Sequence, residues 1–242
     1  MLSHQFYGLN NSGPTLCFLH GFLGSHKDFL PLIHSLSSSH PCLAIDLPAH
    51  GNSPPYPGKL LEMVKCLLAP LAHPIFIGYS LGGRIAMQLA NELNPTALIL
   101  LSAHPGLISP KERLLRKKDD AIWAKHLRIM SPHDFLTLWY QRSSFSSLTQ
   151  KPELLNKLYQ QRLYTNSYAL ADLLEESSLA HMPVYQPLHA TYFLYGEHDL
   201  AYKTLYRTLY KDIPAIEIPH ASHAILIENP TMCLQVIENI TN

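Results

Sequence analysis

Ser80 stands in the run Gly78-Tyr79-Ser80-Leu81-Gly82-Gly83-Arg84. An apolar stretch from Pro74 to Gly78 precedes it, and a helical pattern of Arg84, Ile85, Met87, Gln88 and Leu89 follows. A serine at a sharp strand-to-helix turn is a nucleophile elbow, in which the turn exposes the hydroxyl and small residues let neighbouring backbones approach. Gly78, Gly82 and Gly83 meet that requirement. Arg84 lies one helical turn beyond the serine on the same face, so a permanent cation is expected beside the hydroxyl. Such a cation points to an acidic substrate.

A serine hydroxyl becomes a useful base or nucleophile only when a histidine takes its proton and an acid orients that histidine. After an elbow of this kind the acid comes next in the chain and the histidine last. Two segments, Gly196-Glu197-His198-Asp199 and Pro219-His220-Ala221-Ser222-His223, each leave the end of a predicted strand. Asp199 is the candidate acid, with Glu197 as a rival closer to the strand. His223, directly before the last helical run, is the candidate histidine; His198 and His220 are its rivals among 15 histidines. Developing negative charge also requires a pair of backbone donors. The turn His20-Gly21-Phe22-Leu23-Gly24 follows the first strong strand, so the amides of Phe22 and Leu81 are the candidate pair. His20 and His50 read as loop-holding residues. No metal-binding spacing such as HExxH is present, and no metal is expected.

These residues need a scaffold that delivers them to one place. Short apolar runs alternate with longer helical patterns, which predicts an α/β fold with a mostly parallel sheet and crossover helices. The predicted strands are 15–20, 42–46, 75–78, 97–102, 191–195 and 215–218. Helices are predicted over 27–36, 60–71, 81–92, 202–210 and 224–240. From about 109 to 182 the rhythm breaks into helical periodicity alone, carrying Trp123 and Trp139. This segment is expected to be a helical cap inserted after the fourth parallel strand, with 1–108 and 183–242 forming the core. Sites in open parallel sheets lie at the carboxyl ends of the strands, so such a cap would roof the pocket.

The 242 residues suffice for one large domain with a sizeable core. Lysine plus arginine and aspartate plus glutamate both number 18. A balanced chain of this kind has no basic field to attract nucleic acid. Its apolar runs are strand-sized, too short to span a membrane. No signal peptide is visible, and the four cysteines show neither metal nor disulfide spacing. A cytoplasmic protein with reduced thiols is expected, as a monomer or homodimer.

Four segments, His20-Gly-Phe-Leu-Gly, Asp46-Leu-Pro-Ala-His-Gly-Asn-Ser, Gly78-Tyr-Ser-Leu-Gly-Gly and Gly196-Glu-His-Asp, together resemble the α/β-hydrolase superfamily over essentially the whole chain. Further segments narrow the resemblance: the elbow through Arg84, His104-Pro-Gly-Leu107, Trp139-Tyr-Gln141 with Phe145-Ser-Ser-Leu148, and Leu174-Glu-Glu-Ser-Ser-Leu179. They are similar to the MenH family of menaquinone biosynthesis, the 2-succinyl-6-hydroxy-2,4-cyclohexadiene-1-carboxylate synthases. The resemblance implies a cofactor-free lyase whose Ser80, Asp199 and His223 remove a proton and expel pyruvate from a tricarboxylate. It further implies that Arg84, Arg116 and Arg162 hold the substrate's carboxylates, and it matches Tyr79, Trp139 and Tyr140 to the family's site aromatics. Trp139 and Tyr140 can equally be cap core. Ala49 replaces the family's usual glycine, and the segment before Arg162 is about two residues longer than usual. A carboxylesterase and a non-catalytic binding protein are the competing expectations.

Overall fold

The computed structural model describes residues 1–56, 58–162 and 166–241. Pro57, in the expected Ser53-Pro-Pro-Tyr-Pro turn, and 163–165, within the expected cap, lie outside the described residues. Seven strands form a single sheet: β1 (His4–Tyr7), β2 (Leu16–Leu19), β3 (Cys42–Ile45), β4 (Ile75–Tyr79), β5 (Ala97–Leu101), β6 (Ala190–Gly196) and β7 (Ala215–Ile218). Their spatial order is β1-β3-β2-β4-β5-β6-β7. β1 pairs antiparallel with β3, and all other neighbours run parallel.

Both faces of the sheet are covered, and side-chain alternation divides each strand between them. On β2, Cys17 and Leu19 join one buried cluster while Leu16 and Phe18 join the other. On β5, Leu98 and Leu100 face one side and Ala97, Ile99 and Leu101 the other. Continuous apolar runs are therefore what these central strands require. β1 was absent from the expected strands because its residues, HQFY, are only partly buried and show no core pattern. It is a strand by virtue of its pairing with β3.

Helices α1 (Leu30–Leu36), α2 (Leu60–Leu68) and α3 (Leu81–Leu93) fall between the early strands. α8 (Leu200–Leu209) follows β6, and α9 (Ile225–Glu228) and α10 (Pro230–Thr241) follow β7. The last pair was expected as one helix over 224–240. Pro230 has no N–H to continue the ladder, so the chain breaks at Asn229 and restarts with proline in the first turn. The expected helix over 27–36 likewise opens as a 3₁₀ turn, His26–Phe29, before α1.

Between β5 and β6 the described residues form four α-helices: α4 (Pro110–Ile129), α5 (Pro132–Tyr140), α6 (Pro152–Arg162) and α7 (Ser167–Glu176). Ser109, Ser131 and Asn166 cap α4, α5 and α7 by accepting backbone N–H bonds. These helices share a buried cluster that includes Leu127, Phe135, Trp139, Leu158 and Leu170, and it also takes in Leu23, Ala49 and Ala224. Those last three residues lie in loops that follow β2, β3 and β7, so the helical segment packs on the carboxyl ends of the strands.

The sharpest steric constraint is at Gly82. A Cβ there would lie 2.0 Å from the carbonyl oxygen of Leu19. Because the obstacle is backbone, Gly82→Ala must separate α3 from β2. Overpacking of this kind costs roughly 1–3 kcal/mol or more. For a domain of this size that lowers the melting temperature by about 2–12 °C. An unchanged melting curve would show that the contact is looser than described.

Candidate active site

Ser80 ends β4 and begins α3, with φ 49° and ψ −105°. A positive φ is costly for a residue with a side chain and is held only when the surroundings over-determine it. Here the Ser80 N–H donates to Leu101 O of β5 at 2.9 Å, and the Ser80 carbonyl accepts from Arg84 N–H at 3.1 Å. The hydroxyl is left facing a cavity of about 230 Å³.

His223 Nε2 lies 3.1 Å from Ser80 Oγ, and its Nδ1 lies 3.2 Å from Asp199 Oδ2. A carboxylate accepts, so Nδ1 carries the proton and Nε2 presents its lone pair to the serine. Asp199 also caps α8, accepting the Tyr202 N–H at 3.4 Å, which fixes its carboxylate. The rivals point elsewhere. Glu197 accepts the His220 N–H at 2.9 Å, while His198 and His220 are exposed. The loop carrying His223 is locked by Glu228, which accepts both Ser222 N–H and Oγ–H at 2.9 Å. The helical segment grips the same loop, since His223 N–H donates to Ser144 O at 3.1 Å and Lys151 Nζ to His220 O at 2.8 Å.

Phe22 lines the same cavity as Ser80, and Leu81 directly follows the serine in the chain. A Cβ on Gly21 would fall 3.5 Å from Ser80 Cβ and within 2.7 Å of the Tyr79 ring, so the loop after β2 approaches the elbow closely. Leu81 opens α3, where the first amides have no intrahelical acceptor. Among the described residues neither amide donates to another protein group. Two histidines shape this loop. His20 Nδ1 donates to Gly21 O at 2.7 Å while Nε2 accepts Leu47 N–H at 2.9 Å. His50 Nδ1 donates to Pro48 O at 2.8 Å while Nε2 accepts Leu23 N–H at 3.0 Å. Each ring thus needs one N–H and one lone pair, which only the neutral form supplies.

Three arginines, Arg84, Arg116 and Arg142, line the cavity. Arg84 is 8% exposed and donates from Nη1 to Ser177 O at 2.6 Å. Burial, with Arg116 nearby, lowers its pKa to about 10. Arg116 donates from Nε to both oxygens of Asp120 at 2.9 Å, which leaves its terminal nitrogens without a hydrogen bond among the described residues. Tyr79 and Trp139 also line the cavity. Trp139 belongs to the helical core as well, so pocket wall and core are one surface.

Two of the expected substrate-binding residues are not brought to this wall. Tyr140 is buried in the helical core, edge-on to Phe145 at 5.0 Å. Arg162 lines a neighbouring cavity instead and donates from Nη2 to Asp28 Oδ2 at 2.9 Å, with both side chains nearly inaccessible. A desolvated cation needs an anion close by, and Asp28 supplies one there. Conversely, the wall includes His104, Arg142 and Tyr202, for which no role was expected. His104 accepts Gly106 N–H at 3.2 Å on Nδ1, and burial followed by Arg116 and Arg84 lowers its pKa to about 4. The sequence signal for Arg142 was its place directly after Trp139-Tyr140-Gln141.

Residues 14–230 match the family described as the alpha/beta hydrolase fold, and the chain belongs to that family. Its likeness to particular proteins goes further. The 2-succinyl-6-hydroxy-2,4-cyclohexadiene-1-carboxylate synthase of Photorhabdus laumondii subsp. laumondii is 35% identical over 237 residues, 92% of this chain and 83% of that protein. That of Salmonella paratyphi C is 35% identical over 248 residues, 95% and 94% of the two chains. Within the hydrolase fold, this chain is a member of the MenH family formed by such synthases. Among solved structures, MenH from S. aureus superposes with a TM-score of 0.88 at 24% identity, covering 98% and 96% of the chains. A thermophilic esterase from Thermogutta terrifontis, malate bound, gives 0.80 at 20% identity over 99% and 92%. Both share the fold.

The two loop histidines make a prediction about acid stability. Burial is the chief cause that lowers the His20 imidazole to about 4 and that of His50 to about 3. An unfolded histidine protonates near 6.5, so below that pH the unfolded chain takes up protons that the native state refuses. Native stability therefore falls as pH drops from about 6.5 toward 4, by roughly 1.4 kcal/mol per pH unit for each histidine. Urea unfolding at pH 7, 6 and 5 measures the slope. His50→Gln should make it shallower by about one proton, and an unaltered slope would refute the assignment.

Proposed function

We propose that the chain is a lyase of menaquinone biosynthesis that eliminates pyruvate from 2-succinyl-5-enolpyruvyl-6-hydroxy-3-cyclohexene-1-carboxylate. The product is 2-succinyl-6-hydroxy-2,4-cyclohexadiene-1-carboxylate. The observation that carries this reading is that Ser80, with His223 in reach, shares a small cavity with several arginines. The names of the sequence relatives agree with it. Helices α4–α7, within 109–182, serve as a cap on a core made of 1–108 and 183–242. The enzyme acts in the cytoplasm, as a monomer or homodimer, on a free polycarboxylate and without a cofactor.

In this mechanism Ser80 is a base. His223, oriented by Asp199, takes the serine proton as Ser80 removes the ring proton next to the succinyl carbonyl. The charge that develops on that carbonyl oxygen is met by the amides of Phe22 and Leu81. The electron pair of the broken C–H bond then forms a double bond between C2 and C3 of the ring, and the existing C3–C4 π pair moves to C4–C5. The C5–O bond to the enolpyruvyl group breaks in turn, and pyruvate leaves as its enolate before gaining a proton. Arg84 and Arg116 bind substrate carboxylates, and Tyr79 and Trp139 enclose the ring. Arg162 and Tyr140 contribute from behind this wall, by supporting Asp28 and Phe145.

Pyruvate release, coupled to lactate dehydrogenase, tests the reading directly. Ser80→Ala should lose about 10³-fold or more in turnover while retaining substrate binding. Arg84→Ala should weaken substrate affinity by roughly 10- to 100-fold, the worth of a charged hydrogen bond. Full turnover by Ser80→Ala would refute the serine as base. Absence of pyruvate from the native protein, together with brisk nitrophenyl-ester hydrolysis, would instead identify an esterase.

A further inference from the structure

The arginines between β5 and β6 fall into two groups. Arg128 donates to Asp172 at 2.6 Å and Glu175 at 2.7 Å, and Arg113 donates to the carbonyls of Ala180 and Met182 at 3.0 and 2.9 Å. Arg162 is paired with Asp28. These three tie one piece of chain to another. Arg116 and Arg142 instead line the cavity that holds Ser80.

Arg142 is held in an unusual way. Its guanidinium carbon stands 4.6 Å from the Trp139 ring centroid and 5.0 Å from that of Trp123, whose rings meet nearly at right angles. Asp119, 3.6 Å away and about half exposed, is the nearest carboxylate, beyond a hydrogen bond. Among the described residues Arg142 makes no side-chain hydrogen bond. Aromatic faces attract a cation and fix its plane, yet they use none of its five N–H donors. A partly desolvated guanidinium with its donors unspent is suited to a planar, bidentate anion. Trp123 and Trp139 thus supply orientation and the half-exposed Asp119 part of the counter-charge, while the N–H donors are left for a ligand.

We propose that Arg142 is a carboxylate-binding residue of the Ser80 site, holding one carboxylate of a polycarboxylate ligand while Arg84 holds another. It occupies the part that the family resemblance implies for Arg162. The assignment rests on the polycarboxylate reading of the site but is independent of the elimination chemistry.

Calorimetric titration of the native protein with tricarballylate, a tricarboxylate with no ester or enol ether, tests it. The chain's two tryptophans both touch Arg142, so binding should also change their emission. Arg142→Gln is expected to raise the dissociation constant at least tenfold and to abolish the emission change. Arg142→Lys should recover only part of the affinity, because lysine keeps charge without the planar fork. Thermal melts within about 2 °C of native would show that both variants are folded, as their partly exposed position suggests. A constant within twofold of native in Arg142→Gln, with Arg84→Gln weakened tenfold, would overturn the assignment. So would failure of the native protein to bind tricarballylate at all. If tricarballylate binds as expected while no pyruvate is released from the enolpyruvyl substrate, the lyase reading falls and Arg142 stands.

Discussion

Behind Ser80 the first turn of α3 lies against the last carbonyls of β2, with Gly82 filling the only space a hydrogen can occupy. This contact, together with the Ser80 N–H bond to Leu101 on β5, pins the elbow from both neighbouring strands. The strained backbone at the serine is of order 1–3 kcal/mol uphill by itself. It persists because relaxing it would part α3 from the sheet and expose Leu81, Ile85 and Leu89, all nearly inaccessible. The packing of the crossover helix therefore holds the hydroxyl where His223 meets it. Asp199 and His223 arrive by the same logic, as loops from the ends of β6 and β7, whose registers fix how far each one reaches.

Around that elbow the protein keeps His20 and His50 neutral and its buried arginines charged. His20 and His50 each give one N–H and receive one, so a second proton would break a bond as well as charge a dry interior. The loop that carries Phe22 is thereby fixed by directional bonds that add no positive charge. Asp46 assists from outside the site, accepting His26 N–H and Nδ1–H at 2.8 Å and Asn52 N–H at 3.0 Å. These bonds, more than its burial opposes, hold the Asp46 carboxyl below its ordinary value. The cation density is thus left to the arginines on the opposite wall.

The alternation of apolar runs with helical periods made the parallel sheet and its crossover helices legible, because each central strand is buried on both faces. β1 was illegible for the converse reason: HQFY carries no core pattern, and its pairing with β3 is made by the fold. The break at Pro230 could be read from the residue alone, yet the apolar period continues through it and suggested one helix. At the site, Ser80, Asp199 and His223 were legible because each follows a strand whose carboxyl end is set by topology. Arg162 and Arg142 were not. Whether an arginine on a helix meets an aspartate, a tryptophan face or a cavity depends on how that helix is rotated, and sequence spacing does not specify the rotation. Tyr140 and its neighbour Trp139 show the same limit, since adjacent positions on α5 end one behind the wall and one upon it.

The arginines at the cavity also divide the work that binding can do. Arg84 is steadied by a carbonyl, Arg116 through its Nε, and Arg142 by two aromatic faces. Arg116 and Arg142 have Asp120 and Asp119 as carboxylate partners but keep N–H groups without a hydrogen bond among the described residues, and Arg84 has no carboxylate within ion-pair distance among them, so donors for negative charge are in place before a ligand arrives. Carboxylates that keep their charge throughout a reaction are bound as well in the ground state as in the transition state, and such binding improves affinity without speeding the chemical step. Under the proposed elimination, acceleration must come from groups that meet new charge. These are the amides of Phe22 and Leu81 at the enolate oxygen and whichever arginine faces the departing pyruvate, on which charge builds as the C–O bond breaks. A cavity with more than one oriented cation can anchor the part that stays with one arginine and stabilise the part that leaves with another. A single arginine beside the serine cannot separate those roles.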